Sequence, residues 1–130
     1  MKQTKTKIKP QIPTEAEEQT ALFAWAEWNK AQYPELALMY HVPNGGSRNT
    51  AEARRLKEQG VKPGVPDICL PVPRGKYHGL YIELKRQRGG RISSLQKIWL
   101  TALAGQGYKC LVCFGAEDAK KEIVKYLERG

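Results

Sequence analysis

A glutamate and a lysine set inside an otherwise apolar strand constrain this chain more than any other feature. Leu80-Tyr81-Ile82-Glu83-Leu84-Lys85 reads as a short strand, and so does Gly64-Val65-Pro66-Asp67-Ile68-Cys69-Leu70 before it. Pro71, Pro73 and Gly75 punctuate the turn between them. Side chains alternate along a strand, so Tyr81, Glu83 and Lys85 share one face while Leu80, Ile82 and Leu84 share the other, which is fit for a core. If the two segments pair as a hairpin, Asp67 comes beside Glu83. Neighbouring carboxylates repel unless a proton or a cation lies between them. A divalent metal resolves that conflict, and carboxylate oxygens suit Mg²⁺ or Mn²⁺. Lys85 points at the same place, where an ammonium can orient an attacking water or stabilise charge developing on a phosphate.

A chain of 130 residues makes one domain with room for a genuine core. Its net charge of +9 points towards a polyanionic partner, most often nucleic acid. No apolar run is long enough to span a membrane, and the N-terminus lacks an apolar signal core, so a cytoplasmic location is expected. Residues 1–13 carry Lys2, Lys5, Lys7 and Lys9 and close on Pro10 and Pro13. They read as a basic, flexible tail ahead of a folded unit over residues 14–130. Three cysteines leave one over and argue against a disulfide framework. Cys110 and Cys113 have zinc-like spacing, but in a strand such positions face opposite ways, so they read as core cysteines.

A helix is expected from Thr14 to about Ala31, with Thr14 and Glu17 as a capping box. Glu15 and Gln19 share its face with Leu22 and Ala26, the face that meets the sheet. Phe23, Trp25 and Trp28 make it aromatic, for packing or for a contact with a second copy or exposed bases. Leu36 to Val42 reads as a strand. Asn49 to Gln59 reads as a short helix carrying Arg54, Arg55 and Lys57, either surface charges or, with Lys62, a phosphate-facing patch. Arg86, Arg88 and Arg91 lie in a glycine-containing basic loop after the central strand. A helix from Ser93 to Ala104 turns Leu95, Ile98, Trp99 and Leu103 inward, with Ser93 and Gln96 available as a capping box. A strand from Tyr108 to Phe114 and a helix from about Glu117 to Leu127 complete an α/β unit, a mixed sheet flanked by helices.

Pro66-Asp67, then Glu83-Leu84-Lys85 sixteen positions after Asp67, resembles the PD-(D/E)xK nuclease superfamily. His41-Val42-Pro43-Asn44-Gly45-Gly46, the run Gly60 to Asp67, Gln96, and Gly107-Tyr108 are similar to the VRR-NUC domain of that superfamily. The likeness covers about Thr14 to Gly115. It implies a restriction-endonuclease-like fold and a metal-dependent DNA endonuclease in which Asp67, Glu83 and the Leu84 carbonyl hold Mg²⁺ or Mn²⁺. Lys85 then assists the attacking water. It also implies a helix-borne glutamate near the metal, Glu15 first and Glu18 second, and Gln96 near the active centre. His41, Asn44 and Arg48 are expected near the DNA, although His41 also fits a satisfied strand-end histidine.

Free-standing domains of this kind look like nucleases for branched DNA such as four-way (Holliday) junctions. Paired cuts there require two sites, which a homodimer supplies. The alternatives are a nicking or flap-directed nuclease and a catalytically silent DNA-binding module.

Overall fold

The computed structural model describes residues 11–43 and 49–130. Helix α1 (Glu15–Trp28) leads through a 3-10 turn (Pro34–Leu38) to strand β1 (Tyr40–His41), followed by helix α2 (Thr50–Glu58). Strands β2 (Ile68–Leu70) and β3 (Leu80–Lys85) come next, then α3 (Ser94–Gly105), β4 (Lys109–Phe114) and α4 (Ala116–Leu127). The sheet runs β1-β2-β3-β4, antiparallel except for the parallel pair β3/β4. A parallel pair needs a long crossover, and α3 supplies it. This is the mixed α/β order read from the alternation of periods.

Local signals set the helix starts. Thr14 Oγ1 accepts the Glu17 N–H at 3.1 Å while Glu17 accepts the Thr14 N–H at 3.0 Å, so two otherwise unpaired donors are satisfied. Ser93 and Gln96 form the same reciprocal pair at α3. At α2, Asn49 Oδ1 accepts the Ala51 N–H at 2.9 Å. The core lies on one face of the sheet, where Leu80, Ile82 and Leu84 meet Leu22 and Ala26 of α1 and Ile123, Tyr126 and Leu127 of α4. The Tyr126 hydroxyl, buried there, donates to the Val72 carbonyl at 2.6 Å. Cys113 is fully buried and Cys110 half-buried, on opposite faces of β4. Among the described residues, no helix is long and apolar enough to cross a membrane.

Two expectations need correction. The strand expected over Leu36 to Val42 is a 3-10 turn followed by only two paired residues. Pro34 has the backbone angle of a helix start, and β2 is itself only three residues long. Leu95 and Ile98, expected inward, are 40% and 63% exposed. Helix α3 packs on β4 at the sheet's margin, and of its apolar side chains Trp99, Leu100 and Leu103 are the half-covered ones. The lysines of the basic tail, like Asn44 and Arg48, lie outside the described residues.

Gly115 begins α4 with φ of +91°, and a Cβ there would meet Gln87 Cγ at 2.8 Å and Glu18 Oε2 at 3.0 Å. Gly115→Ala is expected to lower unfolding stability by about 1–3 kcal/mol. Gly105→Ala, in the last turn of α3 with nothing near its Cβ, is expected to be neutral or to add up to about 1 kcal/mol. Urea melts of both variants compare them; equal effects would contradict this view of the Gly115 junction.

Candidate active site

The β2/β3 register pairs Ile68 with Ile82, and one step further brings Asp67 opposite Glu83. Strand β2 begins only at Ile68, so the Leu84 N–H on β3 would lack a strand partner. Asp67 Oδ2 accepts it at 2.9 Å. An extended residue sends its N–H and C=O to the same strand edge, so the Leu84 carbonyl also leaves on the Asp67 side. This tie was not foreseen from the sequence; the signal was Pro66, which has no N–H with which to prolong the ladder.

Glu83 is only 1% exposed. Its Oε1 accepts Gln96 Nε2 at 2.7 Å and lies 3.7 Å from Lys85 Nζ. Its Oε2 is buried and has no partner among the described residues. Burial first, and then the neighbouring Asp67 carboxylate, push the Glu83 carboxyl up to about 8, against the pull of Lys85. Lys85 is also buried, and Glu15 Oε1 reaches it from the first turn of α1 at 4.0 Å. Asp67, Glu83, Lys85, Glu15 and Gln96 therefore converge at the end of β3.

Gln96 serves two purposes. Its Oε1 accepts the Ser93 N–H at 2.9 Å, closing the capping box, while its Nε2 holds Glu83. The amide's two ends separate the two tasks, so the helix start itself aims the donor. Gly64 brings that helix start against the loop delivering Asp67: it has φ of +90°, and a Cβ there would lie 2.7 Å from Leu95 Cγ.

Glu18 does not join this group through any hydrogen bond or ion pair on the described residues. It is buried beneath the start of α4, where Oε1 accepts the Ala116 N–H at 3.2 Å. A carboxylate there satisfies a buried donor at the helix start and complements the helix dipole. His41 is exposed, with Nδ1 2.9 Å from the Asp67 carbonyl oxygen, so the backbone beside the carboxylate is its partner. Arg54, Arg55, Lys57 and Lys62 are exposed on and after α2, and Arg86, Arg88 and Arg91 on the loop after β3.

The donor set suits a hard divalent cation. Among the described residues no three His, Cys, Asp or Glu side chains are grouped to hold a metal ion. Mg²⁺, however, is usually held by one or two carboxylates, with water and substrate phosphate completing the shell. The unpartnered Glu83 oxygen beside Asp67 is what such an ion would engage.

A family model described as the VRR-NUC domain matches residues 8–117. A solved structure described as a VRR_NUC domain protein is similar over 92% of this chain and 93% of its own, at 31% identity and a TM-score of 0.79. Comparison with curated proteins found no match. The fold is that of the restriction-endonuclease-like domains.

Removing the buried charge should separate stability from ion binding. At a pH above about 8, where Glu83 carries its charge, Glu83→Gln is expected to raise the melting temperature in EDTA by roughly 2–5 °C. Stabilisation by added Mg²⁺ or Mn²⁺ should disappear in the same variant. A lower melting temperature in EDTA, or an undiminished response to metal, would contradict this account of Glu83.

Proposed function

The chain belongs to the VRR-NUC family of nuclease domains, and from that premise we propose that it is a metal-dependent, structure-selective DNA endonuclease acting on branched DNA such as four-way junctions. The observation that carries the reading is the buried Glu83 carboxylate, with one oxygen unpartnered, set between Asp67, Lys85 and Gln96. Glu18 Oε2 is also buried without a partner, but among the described residues it is at Glu83 that such an oxygen stands beside a second carboxylate and a lysine, the grouping expected of a functional site.

Asp67, Glu83 and the Leu84 carbonyl would hold Mg²⁺ or Mn²⁺. When bound, the cation supplies Lewis acidity towards the scissile phosphate and its leaving oxygen. Gln96 fixes Glu83, leaving the free oxygen as the ligand. Lys85 orients the attacking water and offsets negative charge growing on the phosphate. Glu15 steadies the Lys85 ammonium from the first turn of α1. A cut that leaves a 5′-phosphate follows from the superfamily resemblance.

The exposed arginines and lysines of α2 and the loop after β3 would hold the DNA backbone. Phosphate contacts of this kind follow shape and carry no base sequence. Two cuts across a junction call for two sites, hence a homodimer. Exposed Leu95 and Ile98 on α3, with a cleft of about 500 Å³ along that helix, offer apolar surface for it.

With Mg²⁺ or Mn²⁺, a labelled four-way junction should yield paired symmetric cuts that EDTA abolishes. Asp67→Ala should keep junction binding and lose cleavage by at least about a hundredfold. Cuts confined to flaps or to one strand would discard junction resolution and retain the metal site; binding without any metal-dependent product would overturn the nuclease. Light scattering should give twice the 14.7 kDa chain mass, and monomers alone would refute the dimer.

A further inference from the structure

Three cations gather on a single tyrosine at the other end of the sheet. Lys76 Nζ, Lys109 Nζ and Arg129 Cζ lie 5.5, 5.4 and 5.5 Å from the Tyr77 ring centroid. None of the three takes part in an ion pair among the described residues. Of the acidic groups on the flanking elements, Glu35 is engaged with Arg74 and Glu128 with the Tyr33 hydroxyl, while the Gly130 oxygen accepts the Gly75 N–H at 2.9 Å. Arg129 Nε is buried with no acceptor. The π face of the ring attracts each cation, but it does not cancel the repulsion between them. An incoming anion would relieve that repulsion.

The position of the cluster argues for one class of anion. Lys109 stands opposite Leu80 at the start of β3, whereas Glu83 lies three residues and Lys85 five residues further along, roughly 10 and 17 Å away at about 3.3 Å per residue. Leu80 faces α1 and α4, and Tyr77 packs against Tyr126 of α4, so the cluster lies on the opposite side of the sheet from Glu83. A strand lying in the catalytic carboxylates would not cross this patch directly. A second limb of a branched molecule would.

We propose that Lys76, Lys109 and Arg129, gathered on Tyr77, form a second nucleic-acid phosphate site that holds a duplex arm the enzyme does not cut. The inference rests on the DNA-cleaving function proposed above and adds where its branched substrate is gripped.

The test compares the wild-type chain with Lys76→Glu/Lys109→Gln. Fluorescence anisotropy in EDTA measures binding to a four-way junction and to a linear duplex of matched sequence over a range of salt. The double variant should bind the junction at least about tenfold more weakly, and the slope of log K against log salt should shrink by about 2. Linear-duplex affinity should change by less than about twofold, and the junction cutting rate at saturation should be unchanged. Lys76 is exposed, so Lys76→Ala alone should fold normally and remove about 1 from the slope, guarding against misfolding at half-buried Lys109. Unchanged junction affinity, or equal weakening for junction and duplex, would overturn the site while wild-type cutting persisted. A wild-type protein that bound and cut no DNA would overturn the cleavage reading along with it.

Discussion

A carboxylate almost wholly removed from water, beside a second carboxylate, is the constraint around which this fold is arranged. Glu83 occupies a central strand with one oxygen engaged and the other without a partner. Burial disfavours its charge, Asp67 disfavours it further, and Lys85 offsets only part of that cost. The surrounding polar groups address the same problem from different elements. The end of β3 supplies Lys85, the start of α1 supplies Glu15, and the capping box of α3 supplies Gln96. An interior so arranged is costly when empty and suited to a cation.

Precision comes from short backbone devices more than from the bulk of the core. The Leu84 N–H ties down Asp67 just before β2 begins, and the Asp67 carbonyl in turn accepts the Val42 N–H at 2.7 Å. Gly115 donates its N–H to the Lys85 carbonyl at 2.8 Å, so the backbone of Lys85 is joined directly to the start of α4. Glu18 holds the next amide of that turn and joins it to α1. The helix that brings Glu15 to Lys85 is thus fastened to the strand pair that carries Lys85.

Much of this was legible in the residues. The order of elements, the face shared by Glu83 and Lys85, and both capping boxes follow from periodicity and cap chemistry, which are local. The convergence of Asp67 on Glu83 required only that neighbouring strands form a hairpin. What could not be read depends on distant partners. Glu15 could be ranked ahead of Glu18 from the face it shares with Gln19 and Leu22, but the task Glu18 takes up depends on the arrival of α4. The outward exposure of Leu95 and Ile98 depends on where α3 crosses the sheet, which amphipathic spacing does not encode. The tyrosine with three cations joins residues from a turn, a strand and the C-terminal segment, and no sequence window contains them all.

The central claim is that Asp67 and Glu83 hold a divalent cation in the absence of DNA, and Mn²⁺ binding followed by electron paramagnetic resonance tests it most directly. The wild-type chain should deplete the free Mn²⁺ signal saturably, and Asp67→Ala or Glu83→Ala should abolish that depletion while leaving the circular dichroism spectrum intact. Equal Mn²⁺ binding by the wild-type protein and both variants would contradict the account.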